Sequence, residues 1–370
     1  MNSRRIPADR LRRFVEQVFE RIGYPSEQAT DAADVLMWAS LRGVDTHGVR
    51  NLKSYYVDRT LDGTLRSAAK IQTDSQTPHT ACLDADSGLG LTCACHAMRL
   101  AIEKSKSTGV GIVCVRNTHH LGPAGYFAQM AVEHGMLGSC TTGHFFGDGH
   151  SIGITPLGAL IPMFSTNPLS FAAPCRRHPP FVLDMSTSIA TINRIEMYGH
   201  EGKPIPAGWA RDVHGTPTTD ANEARLVSPL GGTAELGGYK GAGLAMMVSI
   251  VSGVLSGAWA PVASRAEADH ASQASPQPDR FDQPTMGHFF AAVRIDAFQP
   301  LDSFLAAMDA MIDALHATPT TDPNQKVSYP GENEFATAVD RADRGIPVND
   351  YLFAELKALG KLLDLKFPEG

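Results

Sequence analysis

Two adjacent histidines, His119 and His120, stand in VCVRNTHHLGPAGYFA between an apolar run and a Gly-Pro turn. An imidazole just past a strand end can move a proton near neutral pH. Ligands of α/β sheets gather at the carboxyl ends of the strands. A loop histidine bonded to backbone is the competing reading. His47 lies in LRGVDTHGVRN. Thr46 is placed to cap a helix, which sets His47 in its first turn. There the positive end of the dipole disfavours imidazolium and leaves the neutral ring that a general base needs. Arg50, three residues on, falls on the same face and suits a substrate carboxylate. A solvent-facing arginine beside a polar cap is the alternative.

Other residue types fit a ligand site. Lys240 sits in GGYKGAG, and an anion would offset its place at a helix start. Gly237, Gly238, Gly241 and Gly243 would let a ligand approach the backbone, or simply make a turn. Asp184 ends the apolar run FVLD and either orients a histidine, accepts a ribose hydroxyl or caps the next segment with Ser186 and Thr187. Thr166 and Asn167 precede Pro168 in a turn or an amide-binding loop. The fingerprint G-x-G-x-x-G occurs nowhere, since GLGLTC and GAGLAM both lack the third glycine.

Helices and strands must position these groups. Periodicity predicts a helix over Pro7–Ile22, a second capped by Ser26 and ending near Gly43, and a third from Thr46 with Val49, Leu52 and Tyr56 inward. The middle alternates: a helix from Leu89 to Lys106 closed by Gly109, a strand over Val110–Val115, and a helix from Pro123, in the first position, to His134. A strand MLGSCTT and the runs PLSFAAP and PFVLDMSTS follow, a mixed α/β pattern. Leu244–Ala263 is nearly long enough to span a bilayer, but serines and glycines interrupt it and no aromatic belt flanks it. A buried helix with a small-residue face is expected there. Ser264–Gly287 reads as an exposed insertion, His288–Phe298 as a strand, and Leu301–Leu315 and Leu352–Leu363 as helices.

Composition narrows the classes. The chain has 370 residues, 43% hydrophobic, with a formal charge of −7 and no basic concentration, so nucleic acid is not an expected partner. Its six cysteines show no C-x-x-C spacing. They suit reduced thiols in the cytoplasm rather than disulfides or zinc, and no metal is expected. The opening residues carry no apolar h-region, so no secretory signal is expected; with Leu244–Ala263 read as a buried helix, no membrane partner is expected either.

Six motifs in order carry a resemblance. LRGVDTHGV is similar to R-G-x-x-S-H-G, NTHHLGPAGYFA to N-S-x-H-F-G-x-A-G-Y-Y-A, and FSTNPLSFAAP to G-T-N-P-x-x-x-x-x-P. LDMSTSIA is similar to D-M-A-T-S, GYKGAGL to G-Y-K-G-x-G-L, and YPGE to a C-terminal P-G-E. Over nearly its whole length the chain resembles the type-2, non-Rossmann malate/L-lactate dehydrogenase family. That family includes ureidoglycolate and sulfolactate dehydrogenases, 2,3-diketogulonate reductase and Δ1-piperideine-2-carboxylate reductases. The resemblance implies an α/β core plus a helical domain from both chain ends, in a homodimer. Residues 1–75 would form the helical N-terminal part and 76–235 the core with the cofactor and catalytic loops. Residues 236–300 would hold the buried helix, the insertion and a returning strand, and 301–370 the C-terminal helices packing on the N-terminal part. It implies NAD or NADP and hydride transfer to or from a small 2-oxo or 2-hydroxy acid; cyclic imino acid reduction, or a non-catalytic nucleotide- or metabolite-binding relative, are the alternatives. His47, His120 and Asp184 become catalytic candidates, and Thr46, Arg50 and Asn51 substrate ligands. His120, Thr166, Asn167, Asp184, Met185, Ser186, Thr187, Ser188, Lys240, Gly241, Pro330, Gly331 and Glu332 would meet the cofactor. The family's arginine position holds Asn51, with Arg50 beside it, and its Gly-Lys is Asn193-Arg194. TTGHFFGDGHSIG departs from the family's T-N-S loop.

Overall fold

A computed structural model describes residues 3–144, 152–259, 286–322 and 324–368. Most of the loop TTGHFFGDGHSIG and nearly all of the expected insertion Ser264–Gly287 lie outside the described residues; Met286 and Gly287 belong to a strand.

The chain enters through β1 (Ser3–Ile6), α1 (Ala8–Arg21) and α2 (Ser26–Leu41). Leu11, Phe14, Val15, Val18 and Phe19 repeat at helical spacing on α1 and are buried, which is why this segment coils and where it docks. Ser26 is not a cap. Pro25 holds that position, and the Ser26 hydroxyl donates to Glu20 Oε1 at 2.6 Å. The expected third helix is broken into three pieces: a 3₁₀ turn Val49–Asn51, a π turn Leu52–Val57, and the four-residue α3 (Asp58–Leu61). Val49, Leu52 and Tyr56 do point inward.

The core strands are β2 (Gln72–Gln76), β3 (Thr80–Gly88), β4 (Val110–Thr118), β5 (Met136–Gly143), β6 (Gly153–Ile154), β7 (Leu169–Ala173) and β8 (Phe181–Met185). Helices α4 (Gly90–Thr108) and α5 (Ala124–Val132) connect them; Pro123 is the cap of α5 rather than its first residue. Then come α6 (Ile192–His200), the short strands β9 (Ala210–Arg211), β10 (Pro217–Thr218) and β11 (Leu226–Val227), α7 (Gly238–Val248) and β12 (Met286–Arg294). The chain closes with α8 (Leu301–His316), α9 (Glu332–Arg344), β13 (Ile346–Asn349) and α10 (Asp350–Leu362). Strands β2-β3-β4-β12-β5-β7-β8 form one seven-stranded sheet in that order. Only β3 and β4 pair in parallel within it, through the α4 crossover; every other pair is antiparallel. The described strands form no doubly wound crevice, in keeping with the missing dinucleotide fingerprint.

Both chain ends meet as expected. β1 pairs with β13, Ile6 opposite Ile346, and Phe353, Leu356, Leu359 and Phe367 share one core with α1 and the sheet. A separate cluster of Ala190, Ile195, Ile205, Ala210, Ala224 and Val227 holds a small lobe around the sheet β10-β9-β11-β6. The segment expected as a buried helix, described up to residue 259, is buried on one face only. α7 runs into a π turn, Ser249–Val254, whose small residues press on the sheet: a Cβ on Gly287 would fall 1.8 Å from Ser252 O. Met246, Met247, Ile250, Val254 and Leu255 are exposed. No helix among the described residues is long and apolar enough to cross a membrane.

The sheet hands the His119–His120 turn to the first residue of α4. A Cβ on Gly90 would lie 2.1 Å from the His119 carbonyl oxygen and 2.5 Å from that of His120. The glycine of GLGLTC therefore serves this close backbone approach. Gly90→Ala is expected to cost roughly 1–3 kcal/mol through overpacking and to lower turnover by moving the turn. Urea unfolding and steady-state rates check this.

Candidate active site

A cleft of about 830 Å³ opens between the sheet and the small lobe. One wall is the end of α2 and the turn after it, with Trp38, Arg42, Asp45, Thr46 and His47. Gly122, Pro123 and Ala124 form its floor with Asp184, Met185, Ser186 and Ser188 from the end of β8. The far wall is α6, with Arg194, Met197 and Tyr198, and the start of α9 adds Pro330, Gly331 and Glu334.

His47 precedes the 3₁₀ turn, so Thr46 does not cap a helix and no dipole acts on the ring. Thr46 Oγ1 instead lies 2.9 Å from His47 Nδ1. The Thr46 carbonyl is held twice, by Asn51 Nδ2 at 3.0 Å and Asn193 Nδ2 at 2.8 Å. Asp45 is clamped by both terminal nitrogens of Arg341 on α9, at 2.6 and 3.1 Å, and that arginine also donates to Ser40 O. The C-terminal part thereby fixes the histidine turn. Desolvation lowers the His47 pKa to about 4.

His120 stacks on His47, ring centroids 5.6 Å apart and planes 23° apart. The two rings thus share one environment. Tyr55 packs on the other side of His120, 4.8 Å away, and the Tyr56 hydroxyl lies 2.8 Å from His120 Nδ1. Burial pushes His120 well below the ordinary histidine value, and the neighbouring His47 and Arg59 add to the effect. Neither His119 nor His120 lines the cleft itself, and His120 adjoins it through the His47 ring; the His119 pKa drops to about 4 through burial, then through Arg59. The His119 carbonyl accepts from Nε2 of His288, a fully buried residue of β12, at 3.1 Å. His288 Nδ1 lies 2.8 Å from Thr142 Oγ1 and 3.0 Å from the Gly287 carbonyl oxygen. Burial holds His288 at about 4.

Asp184 Oδ2 accepts the Gly125 N–H at 2.7 Å, at the start of α5. A Cβ on Gly125 would lie 2.9 Å from that oxygen, so the glycine makes room for the carboxylate. Surrounding protein raises Asp184 to about 6, although its side chain still meets the solvent of the cleft.

Several expected site residues lie elsewhere. Arg50 faces His200 Nδ1 at 3.3 Å, and no regular helix places it on a face with His47. Asn51 is buried behind Thr46. Thr166 lines the cleft, but Asn167 is fully buried and spends its amide on Ala245 O, Ser249 Oγ and the His144 N–H. Buried Thr187 donates to the Thr166 and Asn167 carbonyls. Lys240 is exposed and outside the cleft lining of this single chain. Two of the glycines around it admit the chain's own backbone: a Cβ on Gly238 would lie 2.1 Å from Gly232 O and one on Gly241 2.3 Å from Leu230 O, whereas Gly243 meets open space. Glu332 pairs with His316 at 3.0 Å and Lys326 at 2.7 Å, while Glu334 faces the cleft. His288, Tyr56, Arg42, Glu334 and the Arg341–Asp45 clamp carry weight that spacing did not reveal. Arg42 sits over the Trp38 ring and donates to Gln129, and Arg59 sits over Tyr55.

An antiparallel-dominated sheet without a dinucleotide crevice among the described strands, and beside it a cleft lined by a carboxylate and by an imidazole that stacks on a second, define a fold and cleft of the non-Rossmann kind. The chain belongs to the malate/L-lactate dehydrogenase family, whose model matches residues 6–357. It is 37% identical over 362 residues to a malate dehydrogenase of Pyrococcus horikoshii, covering 96% of this chain and 95% of that one. It is 29% identical over 361 residues to a malate/(S)-sulfolactate dehydrogenase of Methanothermus fervidus, covering 98% of each. The structure resembles a malate dehydrogenase of Entamoeba histolytica with a TM-score of 0.88 at 29% identity, covering 99% of this chain and 100% of that one.

The buried histidines make stability depend on pH. His47, His119 and His288 sit at about 4 when folded, against an unfolded value of about 6.5. The unfolded chain binds more protons between those values, so their contribution is present above about pH 6.5 and lost as pH falls toward 4. Asp184, raised to about 6, acts oppositely, while His120, pushed down by burial, adds to the histidines. The unfolding free energy is expected to be lower at pH 5 than at pH 7.5. His288→Gln should flatten that slope, read by urea titration at both pH values.

Proposed function

We propose that the chain is a nicotinamide-dependent dehydrogenase that interconverts a small 2-hydroxy acid and its 2-oxo acid. The observation that carries this is the His47 ring, backed by the stacked His120 ring, in a cleft that Asp184 also lines and that is wide enough for a dinucleotide's reactive end. The residues fit such a cofactor: Trp38 and Tyr198 offer ring faces, Arg42 offers a cation, and Thr166 and Ser186 offer hydroxyls. NAD or NADP, when bound, supplies the hydride acceptor or donor.

His47 is the acid/base group of this reading. Its Nδ1 is engaged by Thr46, which leaves Nε2 to the cleft. A ring with a pKa of about 4 is neutral at pH 7 and takes the hydroxyl proton as the hydroxy acid is oxidised. A bound carboxylate nearby raises that pKa and readies the same ring to donate in the reverse direction. Arg194, exposed on the cleft wall, takes the substrate carboxylate in place of Arg50, which is turned to His200. The exposed apolar row Met246, Met247, Ile250, Val254 and Leu255 is covered by a second copy, giving a homodimer, and the free cysteines suit the cytoplasm.

His47→Ala is expected to lower turnover by about 10²–10⁴-fold, measured by reduced-nicotinamide absorbance with a panel of 2-oxo acids; wild-type turnover in this variant refutes the assignment. Arg194→Gln should raise KM for the oxo acid at least about tenfold, as loss of a charge-assisted pair does, while nicotinamide affinity stays unchanged. An unchanged KM removes Arg194 from substrate binding.

A further inference from the structure

The two stacked imidazoles differ in what holds their Nδ1 atoms. His47 Nδ1 meets a threonine hydroxyl, which donates or accepts. His120 Nδ1 meets the backbone N–H of Gly122 at 3.2 Å, which only donates, and the Tyr56 hydroxyl at 2.8 Å. Tyr56 is 1% exposed, so its hydroxyl proton has no water to turn to. A proton on His120 Nδ1 would face the Gly122 N–H and would leave two buried donors without acceptors. With Nδ1 bare, both donors are satisfied. His120 Nε2 has no partner among the described residues and is not sealed from solvent.

We propose that Tyr56 is a positioning residue that fixes His120 as the neutral Nε2–H tautomer, a permanent hydrogen-bond donor that never carries the transferred proton. The π turn Leu52–Val57 presents Tyr55 and Tyr56 to the same ring. Tyr55, its own hydroxyl tied to Asn193 Oδ1 at 3.0 Å, packs on the imidazole, while Tyr56 reaches its Nδ1. Which nitrogen of a histidine is protonated follows from the bond made by the other. His120 thus steadies the substrate oxygen through Nε2–H, and His47 exchanges the proton. This division of labour rests on the dehydrogenase reading; the tautomer itself does not.

The test is nitrogen NMR of the full chain labelled with ¹⁵N-histidine at pH 7.5, the His120 signal being assigned by its loss in His120→Gln. The wild type is expected to show His120 with unprotonated Nδ1 and protonated Nε2. Tyr56→Phe, which keeps the ring, is expected to bring in an Nδ1–H population and to lower kcat about tenfold, the worth of one hydrogen bond, with reduced-nicotinamide affinity unchanged. A wild-type His120 protonated on Nδ1 overturns the proposal, and that spectrum decides even if the phenylalanine variant fails to fold. A Tyr56→Phe spectrum identical to wild type overturns it too, whatever the turnover. Absence of nicotinamide turnover in the wild type would sink the dehydrogenase reading and leave the spectrum to judge the tautomer.

Discussion

The His119–His120 turn has almost no freedom. Its carbonyls press on the first residue of α4 at a distance only glycine permits, and a buried imidazole of β12 holds one of them. The sheet order makes this possible, because β12 lies between β4 and β5 and carries His288 beneath the end of β4. His120 then has one place to go, against His47. The His47 turn is pinned from the other side of the chain by Arg341 on α9. Two rings from distant parts of the sequence meet because two rigid supports bring them there.

Desolvation, more than charge, sets the site's electrostatics. Burial is the leading cause of the depressed histidines and of the raised Asp184. The imidazoles are kept neutral and the carboxyl is brought toward the range where it exchanges a proton. Arg42 and Arg194 lie on the walls of the cleft and leave its floor free of cations. That separation suits a ligand with an anionic end and a reactive end.

The elements were legible where one face of a segment is apolar at a steady period. α1, α4, β4, β5, α8 and α10 fall close to where their patterns place them. The joining of both chain ends came from the resemblance alone, since β1 and β13 are too short to announce their pairing. The helix expected from Thr46 fails for a physical reason: Gly48 and the π turn break its ladder, so the dipole argument for His47 does not apply, and burial supplies the neutral ring instead. His47, His120 and Asp184 were visible as residue types at turns and strand ends. His288 was not, because a histidine in an apolar strand looks like any alternating position until its partner is known. Asn167 and Thr187 were misleading for the opposite reason. Polar residues in a loop invite a ligand, yet these two spend their hydrogen bonds holding the loop itself.

The central claim is that both imidazoles act on one bound molecule. Its most direct test is a crystal structure with reduced nicotinamide dinucleotide and a non-reducible 2-oxo acid analogue soaked together. The analogue's oxygen is expected within roughly 3 Å of Nε2 of both His47 and His120. An analogue bound in a different cavity, or one walled off from both rings by protein, would contradict it.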